Sequence, residues 1–168
     1  MGAKTLISES EYLQMTFDGP EAEYVDGEVQ ERSMPTIFHS SAANWVYGMF
    51  FLASLKYPVF PRPELRMRVA AGRFRVADLA VFAYQTPSNA VPTIEAPHAV
   101  VEIVSPDDRH DEIMEKLDDY QNFGVAHIWL VDPTLRSLSI YRHGSLTSVP
   151  ELALPEFDLS LKLAEVFA

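Results

Sequence analysis

The chain has 168 residues, no cysteine, and 24 acidic against 13 basic residues, a formal net charge of −11. These figures exclude disulfides, thiolate metal sites and cysteine nucleophiles, and they argue against a protein that coats nucleic acid with a basic surface. One domain over residues 1–168 fits this length, and 48% hydrophobic residues suffice for a core without covalent staples. No run of 18 apolar residues free of charge occurs, so no transmembrane span is expected. The opening residues lack the apolar centre of a secretory signal. They match a myristoylation signal only in part, because Leu6 stands where Ser or Thr belongs. With no cysteine to protect, a cytoplasmic home is expected.

In chain order, Ser8 to Glu11 offer a capping box before a short helix carrying Tyr12, Leu13 and Met15. Glu23 to Val29 predict a hairpin, with Asp26-Gly27 between two short alternating arms. From Thr36 to about Lys56 there is no proline and only one glycine, and dense apolar residues predict a long, well-buried helix. Pro58, Pro61 and Pro63 end it. Leu65–Val69 and Phe74–Ala83 predict two strands joined at Ala71-Gly72, and Tyr84–Pro97 a proline-rich loop. Ala99–Val104, apolar except for Glu102, has the pattern of a strand buried on both faces. A turn at Ser105–Asp108 leads into a helix from about Asp108 to Phe123, stopped by Gly124. Strands at His127–Val131 and Leu138–Arg142 follow, then a turn at His143-Gly144, a last short arm, and a short helix near Leu161–Phe167. The fold class is α/β, a sheet flanked by helices.

Glu102 and Asp78 each lie inside an apolar strand. A buried carboxylate is costly unless it meets a cation, a donor or water. Two such acids on neighbouring strands can share that cost through one divalent ion, and an all-oxygen site suits magnesium or manganese. Lys116 borders the apolar stripe of Ile113, Leu117 and Tyr120 and can aim its ammonium at the acids, or pair with Glu112 on its own helix. Glu23 and Glu28 flank the Asp26-Gly27 turn, and either could add a carboxylate. His39 opens the long helix and is a candidate contact to substrate or metal. Arginines 62, 66, 68, 73 and 75 concentrate basic charge just before Asp78 and could contact a phosphate backbone; the bland alternative is a solvated arginine face.

The run Glu23-Tyr24-Val25-Asp26-Gly27-Glu28-Val29, Pro35 with His39, Val76 to Val81, and Val101-Glu102-Ile103-Val104-Ser105-Pro106 resemble the Uma-two family of restriction endonuclease-like proteins. So do Asp111, Lys116, Tyr120, Gly124-Val125 and Ile128 to Pro133. The resemblance covers roughly Leu13 to Phe167. It implies the PD-(D/E)XK nuclease fold, a mixed central β-sheet flanked by helices. Asp78 matches that motif's Asp and Glu102 its second acid. Val104 stands where its lysine would be, so Lys116 from the next helix is the implied replacement, and Glu23 or Glu28 the extra N-terminal acid. Ala77 replaces the usual proline without removing a ligand. The implied activity is magnesium- or manganese-dependent cleavage of DNA, with Asp78, Glu102 and the backbone carbonyl of Ile103 as metal ligands and His39 and Arg75 as possible substrate contacts. A homodimer is expected through the aromatic helix from Thr36. The rival expectations are a non-catalytic binding or assembly module and a hydrolase of small phosphoesters.

Overall fold

The computed structural model describes residues 6–85 and 92–168. Residues 1–5, the start of the segment read against secretory and myristoylation signals, and residues 86–91 of the expected Tyr84–Pro97 loop lie outside them.

Helix α1 (Glu9–Leu13) begins with the expected capping box, Ser8 and Glu11 bonding reciprocally. Strands β1 (Glu23–Val25) and β2 (Glu28–Gln30) form the hairpin, with Asp26 and Gly27 at positive φ in its turn. Thr36 caps helix α2 (Ile37–Ser54) by accepting the His39 N–H. This helix buries only one stripe, His39, Ala42, Val46 and Phe50, and exposes Ile37, Phe38, Phe51, Leu52 and Leu55 on the other side. The helix is as long as expected but less well buried: the stripe at three- and four-residue spacing is covered, and Ala43, Trp45, Met49 and Ala53 beside it are only partly so.

Strand β3 (Phe60–Ala70) starts five residues before the expected Leu65 and contains Pro61 and Pro63. Proline is tolerated there because β3 is an edge strand, with strand β4 (Arg73–Phe82) as its strand partner and an isolated bridge to Thr93 on its other side. Strand β5 (Ala99–Ile103) is buried along its whole length. Helix α3 (His110–Phe123) ends at Gly124, whose φ of 105° needs a residue without Cβ. It crosses over to strand β6 (His127–Asp132), parallel to β5, after which β7 (Ser137–Arg142) and β8 (Ser145–Val149) add antiparallel. Strands β9 (Glu151–Leu154) and β10 (Leu159–Lys162), linked by a 3-10 turn at Pro155–Phe157, form a separate hairpin, and helix α4 (Leu163–Val166) closes the chain. This hairpin overlaps the start of the helix expected at Leu161.

The large sheet has the order β2-β1-β4-β5-β6-β7-β8, with β3 on β4. Alternation along β4 and β5 sends Leu79, Val81, Val101 and Ile103 to a core shared with α2 and Trp129. It sends Ala80, Phe82 and Val100 to a second core under Leu117 and Tyr120 of α3. Asp78 and Glu102 continue the second series. Among the described residues no helix is long and apolar enough to cross a membrane.

One irregularity positions everything that follows. Strand β1 pairs with β4 only at Phe74 and Arg73, and β5 pairs with β4 only at Leu79, Ala80 and Val81. Between these contacts, on the edge away from β3, residues 75–78 of β4 face a fork between β1 and β5 in which no described strand lies.

Candidate active site at the sheet fork

Backbone groups in the fork need partners, since a buried unpaired N–H or C=O costs about as much as a lost hydrogen bond. Side chains supply them. The Val76 N–H donates to Glu23 Oε1 at 2.9 Å, and Lys116 Nζ donates to the Val76 carbonyl at 2.9 Å. On the other prong, the Ile103 N–H donates to Asp78 Oδ2 at 2.7 Å. The acids and the lysine are therefore part of the sheet as well as of its cleft.

Lys116 is held by three acceptors, one for each N–H: the Val76 carbonyl, Glu23 Oε1 at 2.8 Å and Glu102 Oε2 at 2.9 Å. It does not turn to Glu112, which lies near Arg109 instead. Tyr120, one turn further along α3, donates its hydroxyl to Glu102 Oε1 at 2.7 Å. Burial and the neighbouring acids hold the Tyr120 hydroxyl well above its usual pKa, so it stays a donor.

Asp78 accepts from three sources: the Ile103 amide, Arg32 Nη2 at 2.6 Å, and His39 Nε2, which lies 3.4 Å from Oδ2. Arg32 also bonds Glu64 across the cleft. Glu64, opposite Asp78 by register, takes a φ of 50° inside β3, a left-handed conformation that costs a non-glycine residue roughly 1–2 kcal/mol.

The charge states separate. Burial alone would raise the Asp78 pKa, but His39, Lys116 and Arg32 outweigh it and the net direction is down. Burial would also raise that of Glu23, and Lys116 with Arg75 again outweigh it. Glu102 differs: burial, reinforced by the charges of Asp78 and Glu23, pushes it up to about 7 despite Lys116. His39 is raised by its bond to Asp78. Two acids in one site with divided pKa values are a mark of chemistry as well as of structure.

The fork opens into a cavity of about 700 Å³ lined by Glu23, His39, Asp78, Glu102, Ile103 and Lys116, among others. Of the two hairpin acids it is Glu23 that enters the cluster; Glu28 is half-buried on β2 and does not line the cavity. Arg75 lines the cavity but is buried, its guanidinium bonded to Glu23 at 2.9 Å and Asp119 at 2.7 Å. Expected as a possible substrate contact, Arg75 lies at the cavity wall with two of its guanidinium nitrogens held by carboxylates. The other arginines of the cluster are similarly engaged: Arg66 with Glu21, Arg68 with Glu9, and Arg73 with Asp26, Glu115 and Asp119. Only Arg62 is left to a backbone carbonyl and the Phe60 ring. The cavity wall itself carries nine acidic against four basic side chains, so it favours cations over bare phosphates.

The donor set suits a hard divalent ion. A carboxylate offers about four lone-pair sites; three of those on Asp78 and two of those on Glu102 are engaged by the contacts above, which leaves both acids able to ligate. The Ile103 backbone adjoins them. Arg32 and Tyr120 were not foreseen as site residues. Tyr120 carried a signal, its position four residues after Lys116; Arg32, in the segment between β2 and α2, carried none.

The sequence matches the Uma2 family, described as "Putative restriction endonuclease", over residues 9–167. A crystal structure of a putative nuclease belonging to DUF820 from Anabaena variabilis ATCC 29413 superposes with a TM-score of 0.82 at 22% identity, covering 96% of this chain and 97% of that one. At that identity the likeness speaks to fold, a restriction endonuclease-like mixed sheet flanked by helices. No curated protein matches the sequence.

Proposed function

Since the chain belongs to the Uma2 family of restriction endonuclease-like proteins, we propose that it is a divalent-metal-dependent nuclease that hydrolyses phosphodiester bonds in DNA. One observation carries this reading: Asp78 and Glu102, on adjacent strands, meet Lys116 in a single cavity, with Lys116 Nζ 2.9 Å from Glu102 Oε2. Asp78, Glu102 and the Ile103 carbonyl would hold Mg2+ or Mn2+. When bound, that ion supplies positive charge against a phosphate oxygen and acidity to a water. Lys116 orients the attacking water and stabilises charge growing on phosphorus. Glu23 fixes Lys116 in place, and protonated Tyr120 fixes the Glu102 carboxylate. Arg32 and His39, already at Asp78, are the groups placed to meet a phosphate. Arg32 exchanges its hold on Asp78 for that contact.

The test is plasmid nicking with Mg2+ or Mn2+, with and without chelator, on the wild type and on Asp78→Asn and Glu102→Gln. Metal-dependent nicking lost in both variants supports the proposal; no nicking of any nucleic acid by the wild type sinks it. Such an outcome would favour the second reading, a non-catalytic module, which draws its support from the acidic cavity wall and the neutralised arginines. We also propose a cytoplasmic homodimer, supported by the absence of cysteine and by the exposed Phe51, Leu52 and Leu55 at the end of α2; molar mass in solution by light scattering tests the dimer, and cell fractionation the compartment.

A further inference from the structure

At the opposite end of β5 and β6, a second set of ligating side chains converges. His98 immediately precedes β5 and His127 opens β6. The His127 N–H donates to the His98 carbonyl at 3.1 Å, which fixes the two backbones side by side. Glu156 arrives from the 3-10 turn between β9 and β10. Its Oε1 lies 2.9 Å from His98 Nε2 and 4.0 Å from His127 Nε2. One ligand atom from each residue falls within 4.8 Å of the other two. From His98 to Glu102 is four residues of strand, roughly 13 Å, so this cluster stands apart from the fork.

The rings are walled in. His98 lies edge-on to Phe157 with centroids 5.6 Å apart, and His127 against Trp129 at 6.3 Å. The two imidazole centroids are 4.9 Å apart. Phe157 and Trp129 belong to the core under α2, so they limit how the imidazoles can turn. All three side chains remain partly exposed, at 26%, 29% and 44%, which gives an ion access and leaves room for water.

We propose that His98, His127 and Glu156 form a second cation site, for a borderline transition ion of the zinc type. Two imidazoles and one carboxylate select zinc, cobalt or nickel over magnesium. Three protein ligands and a water make the four-coordinate set that zinc favours. Bonds of about 2.0 Å place tetrahedral ligands about 3.3 Å apart, so the cluster contracts on binding. Glu156, on a short exposed turn, supplies that movement and gives up its hydrogen bond to His98. The ion then ties three segments distant in sequence, fastening the β9–β10 hairpin to the ends of β5 and β6. It stabilises the folded chain by mass action, since an unfolded chain does not hold the three together.

The experiment titrates full-length protein with Zn2+, and with Co2+ followed by its visible absorption, in excess Mg2+. Wild type is expected to bind one equivalent and to melt at a higher temperature with Zn2+. His98→Ala, His127→Ala and the exposed Glu156→Gln are each expected to weaken binding at least about 10-fold, a range typical for disturbed metal ligation. Glu156→Gln keeps the test valid if a histidine variant folds poorly. Asp78→Asn is expected to bind Zn2+ as the wild type does. No Zn2+ equivalent, or affinity equal in wild type and all three variants, overturns the proposal. So does an equivalent lost in Asp78→Asn, which would place the ion at the fork.

Discussion

Two groups of ion pairs in this chain use the same residue types under opposite physical conditions. On the outer side of β3, Arg68 and Glu9 pair with side chains 42% and 32% exposed. At the fork, Arg75 and Glu23 pair at 2% and 6%, and Lys116 and Glu102 at 14% and 9%. Water screens the first pair, and such contacts contribute about 0–1 kcal/mol. In the fork, water is replaced by fixed partners, so deleting one member strands its neighbour. Removing one partner of a buried pair costs about 3–5 kcal/mol, even where the intact pair adds little net stability. The difference teaches that charge count along the sequence says little about function. The arginines before Asp78 look like a nucleic-acid face when counted; when placed, four of the five are paired with acids and Arg75 is buried.

The largest effect that separates the two regions is expected from Lys116→Met. It removes the shared cation of Glu23 and Glu102 and leaves the Val76 carbonyl unpaired, for a loss of about 3–5 kcal/mol in urea unfolding. A loss below about 1 kcal/mol would show that the fork pairs are as dispensable as the surface ones. Next, Asp78→Asn is expected to cut Mg2+-dependent cleavage by roughly 10²–10³-fold, the usual range for removing a charge-stabilising group. Its far-UV circular dichroism should stay that of the wild type, because the amide oxygen can still accept from Ile103. Unchanged cleavage would make the fork purely structural.

A pH experiment sharpens the contrast further. In chelator, folded Glu102 titrates near 7 against an ordinary 4.5. The folded state therefore holds a proton that the unfolded chain releases, and stability falls as pH rises across that window, by up to about 3 kcal/mol. Asp78 and Glu23 are shifted the other way, so their contribution is lost only in more acidic solution. Denaturant midpoints between pH 4.5 and 8 should decline for wild type and flatten for Glu102→Gln; parallel curves would contradict this assignment. The smallest effect is expected from Arg68→Ala, below about 1 kcal/mol and without change in cleavage. A marked rise in KM for DNA would restore the arginine face as a binding surface.

Much of the architecture was legible in sequence. The capping box, the Asp26-Gly27 hairpin, the Ala99–Ile103 strand and the Gly124 stop act through local rules, and local rules survive into the fold. The meeting of Asp78 and Glu102 at one cavity was legible too, because a buried carboxylate in an apolar strand demands a partner wherever the strand goes. What stayed hidden depends on distant contacts. Pro61 and Pro63 fit into β3 because it is an edge, which topology alone decides. The β9–β10 hairpin has four-residue arms, too short for periodicity to outweigh the helical pattern that follows. Glu23 and Glu28 look alike from the turn outward, and only the position of the fork separates them. Arg32 reaches Asp78 from 46 residues away in the chain, with no spacing to announce it.

Val76 offers a vantage on all of this. Its N–H is bonded to a carboxylate of the cluster and its carbonyl to the ammonium, where an ordinary strand residue would meet only other peptides. The fork therefore contains its own spectroscopic probe. The amide resonance of Val76, and the rate at which its proton exchanges with deuterated solvent, will register every change in the charge or position of Glu23 and Lys116. Ion entry, protonation and substrate arrival can thus be followed at one backbone nucleus, without a label in the cavity and before any bond is cut.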